Sequence, residues 1–180
     1  CKRADGPYMK GKVWPGECNF PDYTNPAVRE WWAGLFKELI SEIGVKGVWN
    51  DMNEPAVMEV PGKTFPPDVR HDYDGNPCSH RKAHNIYGTQ MARATYEGVK
   101  RFAYPKRPFI ITRSAYSGAQ RYTSSWTGDN VASWEHLWIA IIQMQRMSMS
   151  GMGFTGSDIG GFAEQPSGEL YVRWIQLGVF

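Results

Sequence analysis

Hydrophobic positions along the chain follow two spacings, one typical of helices and the other typical of short buried strands. Apolar residues at helical spacing predict four helices, and compact apolar runs between them predict three strands. The predicted helices run from Asn25 to Ile43, from about His84 to Phe102, from about Ser133 to Met149, and from about Ser167 onward. The predicted strands are Val45–Trp49, Phe109–Thr112 and Met152–Thr155.

The segments between these elements are polar and rich in turn residues. Residues 1–25 predict a loop with one short strand around Val13 and Trp14, and residues 114–125 predict a second loop. The stretch from Pro61 to Ser79 is too long and too polar for a connecting turn, so it predicts an excursion loop near the first strand's carboxyl end. Helices alternating with strands predict an α/β fold with parallel strands and right-handed crossovers.

Four polar residues lie at or just past the carboxyl ends of the predicted strands: Asp51, Arg113, Asp129 and Asp158. Because the carboxyl ends of parallel strands meet at one face of a sheet or barrel, we expect these side chains to converge on a common cavity. Taken alone, each has an ordinary alternative, since Asp129 and Asp158 also suit turns or helix caps and Arg113 also suits an ion pair. The argument therefore depends on their convergence.

Composition and charge exclude several classes of protein. The 180 residues with 42% hydrophobic content suit one globular domain with a core, and exclude a disordered or fibrous chain. Lys+Arg 20 against Asp+Glu 18 gives a net charge of +2, so neither nucleic acid nor a membrane is an expected partner. No stretch is apolar enough to cross a bilayer and no signal peptide opens the chain. Three cysteines form no dense disulfide framework, and the compartment and oligomeric state stay open.

Both ends of the chain interrupt a pattern, because it starts at Cys1 without Met and stops within a predicted helix. We therefore expect a segment of a longer protein, and an isolated segment of this kind is expected to be unstable or to aggregate. The excess of aromatic residues, eight Trp, nine Tyr and eight Phe, suits either a large core or stacking on a sugar ring.

Paired carboxylates without a metal-ligand pattern suit glycoside hydrolysis, in which one acid attacks the anomeric carbon and the other protonates the leaving oxygen. We expect no metal and no cofactor. Cys78, His80 and His84 have a spacing that could hold zinc, but a second Cys/His pair is missing. The acids around Asp72 lack the closing Glu of a calcium loop. Glu54 is a rival to Asp51 as nucleophile, but its place beside Pro55 favours a supporting hydrogen-bond role.

Three ordered blocks carry a more specific resemblance. GVWNDMNEP, TRSAYSGAQRYTSSWTGDN and GSDIGGF resemble the active-site blocks of glycoside hydrolase family 31, in its retaining α-glucosidase group. The resemblance extends to VWPGECNFPDYTNPAVREWW upstream and HNIYGTQMARATYEG between the blocks. It implies a (β/α)8 TIM barrel, of which this chain covers only the middle βα units. Residues 1–180 would then be part of a single catalytic barrel domain, truncated at both ends.

The resemblance also implies a role for each matching residue. Asp51 matches the catalytic nucleophile and Asp129 matches the acid/base. The residues that match the lining of the first sugar subsite are Trp49, Met52, Arg113, Trp126, Asp158 and Phe162. We expect the charge of Asp51 to keep Asp129 protonated until the leaving group departs, and a separation of about 5–5.5 Å between the two carboxyl groups.

The implied activity is that of a retaining, exo-acting α-glucosidase that removes terminal α-linked glucose from oligosaccharides by double displacement. Its substrate would be an oligosaccharide or another α-glucoside. Within the family the alternatives are an α-transglucosylase and an α-xylosidase. From a different class, the alternative is a catalytically silent homologue that only binds carbohydrate.

Overall fold

The computed structural model describes residues 1–179, in which twelve helices and strands follow one another. In chain order they are β1 (Lys10–Val13), β2 (Gly16–Asn19), α1 (Pro26–Gly34), β3 (Val48–Asn50), β4 (Arg70–His71), β5 (Cys78–Ser79), α2 (His80–Ala103), β6 (Ile110–Thr112), β7 (Ser124–Trp126), α3 (Trp134–Met149), β8 (Thr155–Gly156) and α4 (Gly168–Val179).

The central sheet consists of four parallel strands in the order β3-β6-β7-β8, which is also their order along the chain. The register pairs Trp49 with Ile111, Thr112 with Ser125, and Trp126 with Gly156. Because each strand lies beside its successor, helices and loops must return the chain to the same end of the sheet every time. The α/β class with parallel strands is confirmed, and all four strands present their carboxyl ends at one face.

Two antiparallel strand pairs lie outside this sheet. Residues 10–19 form a hairpin, β1-β2, where the sequence predicted a loop with one short strand. The excursion loop contains the pair β4-β5 and also contributes Phe65 and Val69 to a buried cluster, which Val57 joins from the segment just before the loop. In that cluster they pack with Tyr23 and Tyr87. Apolar side chains thus fix this polar-looking loop against the start of α2.

Local capping explains where the helices begin. The Asn25 side chain accepts hydrogen bonds from the backbone N–H groups of Ala27 and Val28, at 2.8 and 3.3 Å, and Pro26 occupies the first turn of α1. Ser133 caps α3 by accepting from the His136 backbone N–H at 3.1 Å. Within residues 1–179 no helix combines the length and apolar character needed to cross a membrane.

The predicted helix from Asn25 to Ile43 is interrupted at Leu35 and continues with π-helical geometry. Helix α1 ends at Gly34, and residues Glu38–Glu42 form a π-helical turn. Glycine lowers helix stability by about 1 kcal/mol relative to alanine, which favours a break at this point. Leu35 and Ile43, two apolar residues of the predicted helix, are exposed.

Strand β7 was missed, because the sequence predicted a loop up to Ser125. This strand is fully buried, yet two of its three residues are serines. Their hydroxyls donate to backbone oxygens of the neighbouring strand, Ser124 to Ile110 and Ser125 to Thr112, each at 2.8 Å. A polar residue that satisfies its own hydrogen bonds can be buried without the apolar signal on which strand prediction depends.

Candidate active site

Four loops leave the carboxyl ends of the parallel strands, and each places one predicted site residue there. Asp51 directly follows β3 and Arg113 directly follows β6. Asp129 comes three residues after the end of β7, and Asp158 two residues after the end of β8. All four therefore lie at the same face of the sheet, where parallel α/β proteins place their chemistry.

Arg113 is the centre of this group. Its Nε and Nη2 donate to the two carboxylate oxygens of Glu54, at 2.8 and 3.0 Å. The same guanidinium lies near two further acids, with Nε 3.3 Å from Asp51 Oδ1 and Nη1 3.9 Å from Asp129 Oδ2. The hydrogen bonds to Glu54, and then the nearby negative charges, raise the pKa of Arg113, so it stays charged. One cation thus links three carboxylates from two different loops.

The turn after β3 is held in place by side-chain contacts to β6. Asn53 donates from Nδ2 to Thr112 Oγ1 at 2.8 Å and accepts from the Ser114 backbone N–H at 3.0 Å. Met52 has a backbone φ of 58°, an uncommon value for a residue with a side chain, and its Sδ is 2.9 Å from Arg113 Nη2. These contacts fix the direction in which Asp51 and Glu54 leave the strand.

Asp51 differs from Glu54 in how its carboxylate oxygens are satisfied. Its Oδ1 is buried and accepts no hydrogen bond, although Arg113 Nε is 3.3 Å away. The short contact from Nε to Glu54 accounts for this, because the single N–H of Nε is directed at that carboxylate. The attraction between Arg113 and Asp51 is therefore purely a charge interaction. A buried carboxylate oxygen without a donor is costly in a folded protein and is characteristic of a site that receives a ligand.

Beside the acids, aromatic side chains form one wall of a cavity of about 360 Å³. Trp49 and Trp126 meet edge to face, with ring centroids 5.6 Å apart. Trp126 is buried, whereas Trp49 is 59% exposed and offers a free indole face. The residues that line the cavity are Trp49, Ile111, Trp126, Gly156, Ser157 and Asp158. A cavity of this size with aromatic walls and an acid at its edge suits one sugar ring.

The loops after β7 and β8 are joined by backbone hydrogen bonds. The backbone N–H groups of Phe162 and Ala163 both donate to the Asn130 carbonyl, at 2.6 and 3.0 Å. Asn130 is buried and accepts from the Thr127 hydroxyl at 2.6 Å. This contact places Phe162, whose ring is exposed, beside the loop that carries Asp129.

Asp158 is close enough to Asp129 for their charges to interact. Partial burial raises the pKa of Asp158, and the negative charge of Asp129 raises it further. Its position is fixed by neighbouring contacts, since Trp174 Nε1 donates to Ser157 Oγ at 2.9 Å and the Asp158 carbonyl accepts from the Gly161 N–H at 3.1 Å. Asp158 thus lines the aromatic cavity and also interacts with the acidic group through Asp129.

The structure therefore divides the predicted site residues into adjoining groups. Asp51, Met52 and Asp129 all lie around Arg113, while Trp49, Trp126 and Asp158 line the cavity. Phe162 is tied to the same loops through its backbone. Sequence reasoning missed Ile111 and Ser157 as lining residues, because an apolar strand residue and a loop serine carry no chemical signal of their own.

The histidines with zinc-like spacing are used differently. His80 Nε2 and His84 Nδ1 are 2.9 Å apart in a hydrogen bond, so these nitrogens contact each other. Within residues 1–179, the group of Cys, His and acidic side chains close enough to share a metal is Cys1, Asp22 and His71, and it does not belong to the strand-end site.

Comparisons with known proteins cover the whole chain. The family model described as the glycosyl hydrolases family 31 TIM-barrel domain matches residues 1–180. The chain is 47% identical over 180 residues to Alpha-glucosidase 2 of Bacillus thermoamyloliquefaciens, covering 100% of this chain and 23% of that protein. It is 42% identical over 182 residues to Neutral alpha-glucosidase AB of Homo sapiens, covering 99% of this chain and 19% of that protein.

A solved structure of a glucosidase II alpha subunit, in an alpha3-Glc2-bound form, superposes with a TM-score of 0.92 at 39% identity. The superposition covers 99% of this chain and 20% of that one. The chain thus spans about a fifth of the length of the relatives that it matches.

Proposed function

The chain belongs to glycosyl hydrolase family 31 and forms part of its TIM barrel, and from this premise we propose that it carries the catalytic centre of a retaining, exo-acting α-glucosidase. In this proposal residues 1–180 are part of a single catalytic barrel domain. The observation that supports it best is the position of Asp51 and Asp129 on either side of one guanidinium, at 3.3 and 3.9 Å.

In the first half-reaction Asp51 attacks the anomeric carbon of the terminal glucose. An ester bond forms between Asp51 and that carbon, the bond to the glycosidic oxygen breaks, and Asp129 gives its proton to the departing oxygen. The unpartnered Oδ1 of Asp51 suits the attack, because no hydrogen bond has to be broken first. Asp129 is 52% exposed, which suits a group that meets the leaving sugar at the mouth of the site.

In the second half-reaction Asp129 acts as the base and Asp51 is the leaving group. Asp129, now ionised, takes a proton from water, and the water oxygen attacks the anomeric carbon while its bond to Asp51 breaks. Two inversions at that carbon give overall retention. This mechanism needs two carboxyl groups about 5–5.5 Å apart, so that separation stays our prediction for the intact site.

Arg113 and Glu54 are positioning residues in this proposal, because Glu54 orients the Arg113 charge toward the two acids. The two hydrogen bonds from Arg113 to Glu54 fix the orientation of the planar guanidinium, so that its charge faces both proposed catalytic acids. Glu54 is thereby occupied, which favours Asp51 over Glu54 as the nucleophile. Met52 adds a sulfur contact to the same guanidinium and completes its surroundings.

The aromatic cavity supplies the sugar subsite in this proposal. The exposed indole face of Trp49 stacks on the apolar face of glucose, with Trp126 behind it and Phe162 at the edge of the site. Asp158 accepts hydrogen bonds from two glucose hydroxyls. The cavity volume of about 360 Å³ is that of a site for one terminal residue, which favours exo action.

Glucose is the proposed sugar because two of the similar proteins are named α-glucosidases. The family alternatives, transfer to a sugar acceptor and cleavage of α-xylosides, share the same pair of acids. A silent carbohydrate-binding homologue is disfavoured by the presence of both acids beside one cation.

Product analysis by proton NMR on the intact protein tests this proposal. With an aryl α-glucoside as substrate, the glucose released should first appear as the α-anomer, and Asp51→Asn should release none. Asp129→Asn should still form the glycosyl-enzyme from an aryl α-glucoside, whose leaving group needs little protonation. Release of the β-anomer first, or no turnover of any α-glucoside by the wild-type protein, would overturn the assignment.

A further inference from the structure

A second polar cluster lies away from the strand ends, where residues near the N-terminus, the excursion loop and the start of α2 meet. Cys1 Sγ, a carboxylate oxygen of Asp22 and a ring nitrogen of His71 all lie within 4.8 Å of one another. These three residues line a cavity of about 690 Å³, together with exposed aromatic residues such as Tyr8 and Trp31. Three donor atoms of different kinds therefore converge beside a space that opens to solvent.

We propose that Cys1, Asp22 and His71 form a binding site for a divalent metal ion of the zinc type, with a further coordination position open to the cavity. The sequence-based expectation of no metal rested on spacing along the chain, and these ligands come from three separate segments. Because thiolate and carboxylate each carry one negative charge, they neutralise a divalent ion, which suits a partly buried site.

The spacing of the donor atoms fits tetrahedral coordination. His71 Nδ1 is 3.7 Å from Cys1 Sγ and 3.1 Å from Asp22 Oδ1. Zinc bonds of about 2.3 Å to sulfur and 2.0–2.2 Å to nitrogen or oxygen separate two ligands by roughly 3.4–3.6 Å at a tetrahedral angle. These two separations, seen without a metal, differ from the expected values by only a few tenths of an ångström, and the third pair, Cys1 Sγ and the Asp22 oxygen, lies within 4.8 Å.

The same geometry argues against a nucleophilic triad of Cys, His and Asp. In such a triad the nucleophile and the acid contact opposite nitrogens of the imidazole ring, so that a proton can pass through it. Here the Cys1 and Asp22 contacts are both made to Nδ1 of His71. Donors that converge on one point beside a ring suit a shared ion and cannot relay a proton across that ring.

A chain of hydrogen bonds supports His71 from behind. His71 Nε2 is 2.9 Å from His80 Nδ1, and His80 Nε2 is 2.9 Å from His84 Nδ1. We call Asp22, His71, His80 and His84 the histidine chain. A histidine that binds metal through one nitrogen usually gives the proton on its other nitrogen to a hydrogen-bond acceptor, here His80. Asp22 is supported in turn by hydrogen bonds from the Thr24 hydroxyl at 2.7 Å and the Asp72 backbone N–H at 2.7 Å.

Metal binding would change which nitrogen of each imidazole carries the proton, and it would remove the proton of the thiol. Without metal, we assign the His71 proton to Nδ1, because the ionised Asp22 requires a donor there, and the Cys1 thiol donates to the Pro21 carbonyl at 3.5 Å. With metal, Nδ1 becomes a ligand and the three imidazoles each shift their proton to Nε2, so the hydrogen bonds of the histidine chain reverse direction. The number of protons on each imidazole is unchanged in this rearrangement, and only the thiol proton leaves for solvent.

Titration of the metal-stripped intact protein with Co²⁺, and with Zn²⁺ against a coloured chelator, tests the proposal. The wild-type protein should bind one ion per chain and show the charge-transfer absorption of a cobalt–thiolate bond. Cys1→Ser should lose that absorption and bind at least about tenfold more weakly. Cys18→Ser is the matched control, because it removes a thiol outside the cluster and should behave as the wild type does.

Two readouts keep the test decisive. An absorption that survives in Cys1→Ser, or that vanishes in Cys18→Ser, would overturn the site. X-ray absorption at the zinc edge of the wild-type protein needs no variant, and it should resolve one sulfur ligand beside nitrogen and oxygen ligands. Zinc without a sulfur ligand, or no zinc retained against the chelator, would equally overturn the proposal.

Discussion

The strand-end site and the histidine chain are both clusters of polar side chains in one chain, but they differ in how their hydrogen bonds are satisfied. In the strand-end site three carboxylates share one arginine, and Asp51 Oδ1 accepts no hydrogen bond. In the histidine chain Asp22 accepts hydrogen bonds from Thr24, His71 and Asp72. The strand-end site thus leaves a buried carboxylate oxygen without a donor, whereas Asp22 is hydrogen-bonded within the metal-free protein.

Titration properties follow the same division. Burial raises the pKa of Asp22, but its hydrogen bonds together lower that pKa to about 2, so the carboxylate is ionised at neutral pH. Burial and the two neighbouring histidines lower the pKa of His80 to about 3, so this ring is neutral there. We infer that the strand-end site exists to receive a substrate, and that the histidine chain holds the excursion loop against α2. Variants in the two clusters should then have separate effects.

The largest effect is expected from Asp51→Asn, which tests the strand-end site and should affect activity without lowering stability. Loss of the nucleophile should lower kcat/KM of the intact protein on an aryl α-glucoside by about 10⁴-fold or more. Its melting temperature should stay level or rise, because the variant removes a carboxylate that lacks a hydrogen bond. Glu59→Gln, which removes one exposed ion pair to Lys12, is the matched control and should leave both values unchanged.

A smaller loss is expected from Gly88→Ala, which tests how α2 supports the strand-end site. A methyl group at Gly88 would come within 2.7 Å of Ser114 and 2.9 Å of the Asn53 carbonyl, which flank Arg113 and Asp51. The resulting shift should lower kcat about 10²-fold, as misplacement of a catalytic group by roughly 1 Å does.

Gly98→Ala separates this effect from general destabilisation. Its added methyl group would come within 2.5 Å of the Ala33 carbonyl in α1, far from the acids along the same helix. It should lower the melting temperature while kcat of the folded protein stays unchanged. Equal losses of kcat in both variants would show that α2 acts on the site only through overall stability.

Asp22→Asn tests the histidine chain and should affect stability without affecting activity. In the metal-free protein, loss of this hydrogen-bonded carboxylate should lower the free energy of unfolding by about 1–3 kcal/mol, while kcat per folded molecule stays within about twofold of wild type. Because the folded-state pKa of about 2 lies below the ordinary aspartate value of 3.8, the ionised Asp22 stabilises the fold above pH 3.8, and this stabilisation is lost as pH falls toward 2.

Denaturant titrations at several pH values check this sign. Between pH 4 and pH 2 the stability of the variant should fall less steeply than that of wild type. Parallel slopes for the two proteins would contradict a stabilising role for the ionised Asp22.

The smallest effect is expected from Trp49→Ala. Loss of an exposed stacking face should raise KM for an α-glucoside by about fivefold, since an aromatic contact contributes about 0.5–1.5 kcal/mol, with a smaller change in kcat. Trp14→Ala removes an indole that is 80% exposed on the β1-β2 turn and should leave KM unchanged. A rise in KM for both variants would mean that the loss of any exposed indole has this effect, and that stacking of Trp49 on the sugar is not its cause.

How far the sequence predicts each cluster depends on whether its signal is local. The strand-end residues follow apolar runs, so the position of Asp51 and Arg113 could be derived from the runs before them. The caps Asn25 and Ser133 are equally local, and both predicted helix starts agree with the structure. Serine-rich β7 has no such signal, because its burial depends on hydroxyl bonds to another strand.

The histidine chain could not be derived in this way. Its hydrogen bonds join residues 49, 9 and 4 positions apart, and the first two contacts exist only after the chain has folded. The early start of α2 has the same cause, since His80 is fixed between His71 and His84, and the sequence pattern placed the helix start four residues later. Tertiary hydrogen bonds between polar residues leave no periodic trace in the sequence.

Trapping the covalent intermediate tests most directly whether Asp51 and Asp129 divide the reaction between them. The intact Asp129→Asn protein would be reacted with a fluorinated glucosyl fluoride, which forms the glycosyl-enzyme but hydrolyses slowly, and its peptides would be analysed by mass spectrometry. The account predicts a single glucosyl adduct on Asp51. An adduct on Glu54, or turnover of the reagent with no adduct at all, would contradict it.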